Sequence, residues 1–92
     1  MPTIILDRDG VINHDSKYFI KSPDEWQAID GSLVAIARLR AAGYEIAIAT
    51  NQSGLGRGLF SQAALDAIHK KMIQEANTTG GGFDMITFCP HH

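Results

Sequence analysis

Thr3-Ile4-Ile5-Leu6-Asp7-Arg8-Asp9-Gly10-Val11-Ile12-Asn13 is the stretch from which the fold is read. A short apolar run ends in two acids one residue apart, and a glycine follows. Ile4, Ile5 and Leu6 form no amphipathic pattern. They are expected to be a strand buried on both faces of a parallel sheet, and one that lies centrally. Asp7 then falls at the carboxyl end of that strand, where open α/β sheets bind their ligands. Gly10 allows the chain to turn sharply away. Two carboxylates held at one strand end repel each other unless a cation, a shared proton or separate roles intervene. A hard, oxygen-seeking ion such as Mg²⁺ is the simplest remedy.

Downstream, Leu33, Ile36, Ala37 and Arg40 follow helical spacing with Leu39 beside them, so a helix is expected over residues 33–42. Asp30 or Ser32 can cap it, and Gly43 suits the left-handed position after its end. Glu45 to Thr50 reads as a second strand, completing a strand–helix–strand unit of right-handed crossover. It ends in Thr50-Asn51-Gln52-Ser53-Gly54-Leu55-Gly56-Arg57-Gly58. A hydroxyl and an amide thus arrive beside Asp7 and Asp9, and the glycines can offer backbone N–H groups to an anion. The glycine spacing is not that of a P-loop.

Asn13 to Trp26 has neither helical nor strand period and is read as a rim loop, with Phe19 and Trp26 covering the sheet edge. Ser61 is expected to cap a helix from Gln62 to about Ala76, burying Leu65, Ile68 and Met72. Asp66, Lys70, Lys71 and Glu75 read as its solvated charges, and His69 as a partly exposed structural residue. Asp84 to Phe88 suggests a third strand. Cys89-Pro90-His91-His92 then places a thiol and an imidazole two positions apart, half of a possible zinc site.

The 92 residues suffice for one small domain, of 45% hydrophobic and 20% charged residues. A net charge of −2 gives no electrostatic case for nucleic acid. No apolar run approaches a membrane span, and no basic segment leads into a signal-type core, so a cytoplasmic protein is expected. One cysteine excludes an internal disulfide.

Asp7-Arg8-Asp9-Gly10-Val11-Ile12-Asn13, Thr50-Asn51-Gln52-Ser53-Gly54 and Cys89-Pro90-His91 occur in the order found in the haloacid-dehalogenase-type phosphatases. They most resemble the branch holding heptose bisphosphate and histidinol-phosphate phosphatases. The resemblance implies a three-layer α/β/α doubly wound parallel sheet with no large cap. These residues would be the N-terminal part of a single domain, cut after its third strand, since the later basic and acidic motifs and two cysteines are absent.

The resemblance also implies a mechanism. Asp7 is the nucleophile that forms an aspartyl phosphate, Asp9 the acid and base, and Thr50 the ligand of the phosphoryl group. Asp7 and the Asp9 carbonyl would hold Mg²⁺, while Cys89 and His91 would be two of four zinc ligands. Asp15, Ser16, Lys17 and Tyr18, with Asn51, Gln52 and Ser53, occupy substrate-contact positions. Arg8 either contacts substrate or pairs with a surface acid.

The implied substrate is a small phosphorylated sugar. Loss of the 7-phosphate of heptose 1,7-bisphosphate, a step towards ADP-heptose and the lipopolysaccharide core, is favoured over histidinol phosphate. A monomer is expected for the intact protein. An inactive fragment or a phosphate-binding module is the non-enzymatic alternative.

Overall fold

The computed structural model describes residues 2–16 and 19–89, with Ser53 and Gly54 as backbone alone. Three parallel strands, β1 (Thr3–Leu6), β2 (Glu45–Asn51) and β3 (Met85–Cys89), form one sheet in the order β1-β2-β3. Helix α1 (Ser32–Ala41) connects the first two strands. A short α2 (Ser53–Gly56) and the long α3 (Gln62–Thr78) connect the second and third. Ile4 pairs with Ile46, Leu6 with Ile48, and Ile48 with Ile86.

This register decides which side chains are buried. Strand side chains alternate, so Ile4, Leu6, Ile46, Ile48 and Ile86 share one face. Against it pack Leu33 and Ile36 of α1 and Ile68, Met72 and Ala76 of α3. Ile46, Ile48, Ile68 and Met72 are wholly buried. The opposite face carries Ile5, Ala47 and Met85 and has no helix over it among the described residues. Ile5 is 70% exposed and Met85 60%. The expectation that β1 is buried on both faces is thus corrected, because both helices lie on one side of the sheet. Nor is β1 central among these strands: β2 is, and no described residue pairs with the outer edge of β1.

The helix ends follow local chemistry. Ser61 Oγ accepts the Ala64 N–H at 3.1 Å, as its sequence position suggests. Helix α1 starts differently. Its N-cap is Gly31 at φ +86°, with no side-chain cap bond. Ser32 Oγ instead donates to the Ile12 carbonyl at 2.7 Å and ties the helix to the segment after the acidic pair. Gly43 adopts φ +98° after the helix, as expected.

The rim loop contains a 3-10 turn, Pro23–Glu25, and Trp26 after it is fully buried. Lys71 is not a solvated charge. Its ammonium donates to the Pro23 and Trp26 carbonyls, both at 2.8 Å, and lies 5.8 Å from the Trp26 ring. One lysine on α3 therefore satisfies two loop carbonyls and packs its charge near an aromatic ring.

Candidate active site

Strand β1 delivers Asp7 at its carboxyl end, and the chain then turns through Gly10 at φ +82°. The turn closes on the Arg8 carbonyl, which accepts from the N–H groups of Val11, Ile12 and Asn13 at 3.2, 2.8 and 3.2 Å. Asp7 and Asp9 both line an open cavity of about 350 Å³, with Asp15, Ser16, Phe19 and Asn51. Asp7 is exposed, and its Oδ1 accepts the Arg8 backbone N–H at 2.9 Å. Among the described residues no cation pairs with it.

Asp9 is held quite differently. Its Oδ1 accepts from Arg8 Nε at 2.9 Å, Arg8 Nη2 at 2.8 Å and Asn13 Nδ2 at 2.9 Å. Its Oδ2 accepts from Gln52 Nε2 at the longer distance of 3.2 Å. Three donors fill one oxygen, so Oδ2 is the less encumbered of the two. The two acids thereby differ in setting: Asp7 is exposed with no cation paired to it among the described residues, and Asp9 is held by four hydrogen bonds.

The Arg8 guanidinium is fully buried, does not line the cavity and pairs with the acid Asp9. Its remaining end, Nη1, lies 3.1 Å from His69 Nε2. An arginine can only donate, so His69 accepts and carries its proton on Nδ1. Burial, then the Arg8 charge, lowers the His69 pKa to about 4, against weaker opposite pulls from Asp66 and Asp9. His69 is buried rather than partly exposed, and its contact with Arg8 is one that the sequence reading did not foresee. Asn13 was missed as well.

On the neighbouring strand, Thr50 and Gln52 are both buried. Gln52 Nε2 donates to Thr50 Oγ1 at 2.7 Å as well as to Asp9. Gln52 thus joins the two strand ends, its amide turned towards Thr50 and Asp9. Thr50 keeps its own hydroxyl proton for another acceptor and reaches the acid pair through that amide. Asn51 is exposed on the cavity wall, and Asp15 and Ser16 face it across the mouth. Phe19 lines the cavity at φ +70° and receives the Arg57 guanidinium 5.9 Å from its ring centre, so it is part of the rim and not of the sheet edge. Lys17, Tyr18 and His91 lie outside the described residues, as does the Ser53 side chain.

A hard divalent cation fits the donor set at Asp7 and Asp9, two carboxylate-bearing positions on one open polar cavity. Among the described residues no group of three or more His, Cys, Asp or Glu is placed to hold a metal. Further ligands must come from substrate, water or other residues. At the end of β3 Cys89 is exposed, and it is the one zinc-type donor described from the Cys-Pro-His segment. That single thiol does not constitute a zinc site.

Comparison with known proteins yields close relatives. A D-glycero-beta-D-manno-heptose-1,7-bisphosphate 7-phosphatase of Bordetella bronchiseptica is 59% identical over 91 residues, 99% of this chain and 51% of the relative. The enzyme of that name from Neisseria meningitidis serogroup A is 52% identical over 99% of this chain and 49% of its own length. The crystal structure of the B. bronchiseptica D,D-heptose 1,7-bisphosphate phosphatase, complexed with magnesium and phosphate, superposes with a TM-score of 0.97. That match has 59% identity and covers 100% of this chain and 51% of the other.

The fold is that of the haloacid-dehalogenase-type phosphatases. No family model matches. The chain spans about half the length of the curated relatives it matches. No helix among the described residues is long and apolar enough to cross a membrane.

Proposed function

We propose that the intact protein is a Mg²⁺-dependent phosphatase that removes the 7-phosphate of D-glycero-D-manno-heptose 1,7-bisphosphate, and that these residues are the N-terminal part of its single domain. The observation that carries this reading is the division of labour at the end of β1. Asp7 is exposed on the cavity with no cation beside it among the described residues, while Asp9 is fixed by four hydrogen bonds with Oδ2 left the less encumbered. The likeness to relatives named for that substrate supports the choice of sugar over histidinol phosphate.

In the first step an Asp7 oxygen attacks phosphorus and the bond to the sugar oxygen breaks. Asp9 gives that leaving oxygen a proton from Oδ2. In the second step Asp9 takes a proton from water as the water oxygen attacks the aspartyl phosphate. Inorganic phosphate leaves and the Asp7 carboxylate is restored. Thr50 donates its hydroxyl proton to a phosphoryl oxygen. Asp7 and the Asp9 carbonyl would hold Mg²⁺, which would supply positive charge against the repulsion between the carboxylate and the phosphate dianion. Asp15, Ser16 and Asn51 contact the sugar from the cavity wall, and Lys17, Tyr18 and Ser53 are assigned the same role on the sequence resemblance alone. On the sequence resemblance, Cys89 and His91 would supply two of the four ligands of a structural zinc ion. A cytoplasmic location suits a soluble sugar phosphate.

The test is phosphate release by the intact protein from a panel of phosphate esters. Heptose 1,7-bisphosphate is expected to be turned over faster than histidinol phosphate, with loss of the 7-phosphate alone. Faster turnover of histidinol phosphate would overturn the substrate. Absence of turnover on every ester, with Mg²⁺ present, would favour a binding module.

A further inference from the structure

A guanidinium buried beside a catalytic carboxylate must be held at both ends, or it will rotate to satisfy its free N–H groups. At one end Arg8 gives Nε and Nη2 to a single oxygen of Asp9. At the other, Nη1 meets His69 Nε2 at 3.1 Å, in a contact buried on both sides. His69 is reached from α3, sixty-one residues further along the chain. We infer that His69 is a positioning residue for the reaction: through Arg8 it fixes the orientation of the Asp9 carboxylate. This rests on the phosphatase reading above.

The choice of side chain follows from charge. A carboxylate at position 69 would compete with Asp9 for the Arg8 cation and draw the fork away from it. An apolar side chain would leave a buried N–H without an acceptor, a penalty that rotation of the guanidinium would relieve. A neutral imidazole satisfies Nη1 and leaves the charge to Asp9. Burial keeps the ring neutral in this setting, which agrees with its lowered pKa. Asp66, one turn before His69 on α3, is exposed and accepts from Gln62 Nε2 at 2.9 Å, while the Arg8 Nη1 contact goes to His69.

The experiment compares His69→Gln, His69→Leu and His69→Glu in the intact protein. The readouts are steady-state kinetics on heptose 1,7-bisphosphate and the NMR signal of the Arg8 Nε–H. His69→Leu is expected to lower kcat by about 10–100-fold with KM little changed, and to move the Arg8 signal. His69→Gln, an uncharged acceptor of similar reach, is expected to recover most of both. Wild-type kcat in His69→Leu, or equal losses in Leu and Gln, would overturn the inference. If His69→Leu does not fold, the Gln and Glu pair decides: Glu is expected to lose kcat where Gln does not, and equal activity would refute the role. If the wild type hydrolyses no ester, the phosphatase reading fails on its own. The Arg8 signal then still decides whether His69 holds the guanidinium, and an unmoved signal in His69→Leu would overturn that too.

Discussion

Arg8 and Asp9 are joined through one oxygen. Both Nε, at 2.9 Å, and Nη2, at 2.8 Å, donate to Asp9 Oδ1, which leaves Oδ2 with only the 3.2 Å contact from Gln52. Adjacent residues rarely form such a fork, because consecutive side chains on a strand point apart. Here the chain has already left β1 and turns at Gly10, so the two side chains converge. Replacing Arg8 with Met would strip Asp9 of two donors and leave it partly buried beside an apolar chain. The expected loss of stability is about 3 kcal/mol, read by chemical denaturation of the intact protein. A loss near zero would show that water replaces the fork.

Stability should also depend on pH through His69. Its folded pKa of about 4 lies below the ordinary value of 6.5, because burial and Arg8 disfavour the charged ring. Between those values the unfolded chain binds the proton more readily than the folded one. The contribution is therefore present above about pH 6.5 and is lost as the pH falls towards 4. Denaturation curves across this window should slope less in His69→Gln than in the wild type. Identical slopes would contradict the assigned pKa.

Gly10 separates conformational strain from crowding. Its φ is +82°, yet an added Cβ would meet only Asp15 Cβ at an ordinary 4.0 Å. Gly10→Ala should cost roughly 1–2 kcal/mol through backbone strain alone. A thermal melt that does not move would show that the turn adopts another path.

The face of the sheet bearing Ile5 and Met85 has a consequence for the 92-residue polypeptide made alone. Exposed large apolar side chains on a bare sheet face favour self-association. Sedimentation should show oligomers that grow with concentration, and phosphatase activity should be nearly absent. A stable monomer with turnover like that of a full-length relative would contradict both expectations.

How much of this is legible in the sequence depends on the range of the interaction. The Ser61 cap, the Gly10 and Gly43 turns and the three strands are local, and each residue reports its own backbone need. Asp7 and Asp9 are legible because two acids after an apolar run are costly without a purpose. The Arg8–His69 contact is not, since no periodicity links positions so far apart, and a buried guanidinium runs against the usual preference of arginine for solvent. Lys71 was misread for the same reason: its charge suggested water, whereas two loop carbonyls and Trp26 receive it. Gln52 looked like a rim contact because it follows a strand end, but its side chain turns in towards Thr50 and Asp9. The exposure of Ile5 and Met85 among the described residues is not legible, because an apolar strand sequence does not state how many helices will cover it.

The most direct measurement is Mg²⁺-dependent phosphate release from heptose 1,7-bisphosphate by the intact protein and by its Asp7→Asn variant. The account predicts release by the wild type that chelation of Mg²⁺ abolishes, and none by Asp7→Asn, whose melting curve should match that of the wild type. Undiminished turnover by a folded Asp7→Asn variant, or by the wild type without Mg²⁺, would contradict it.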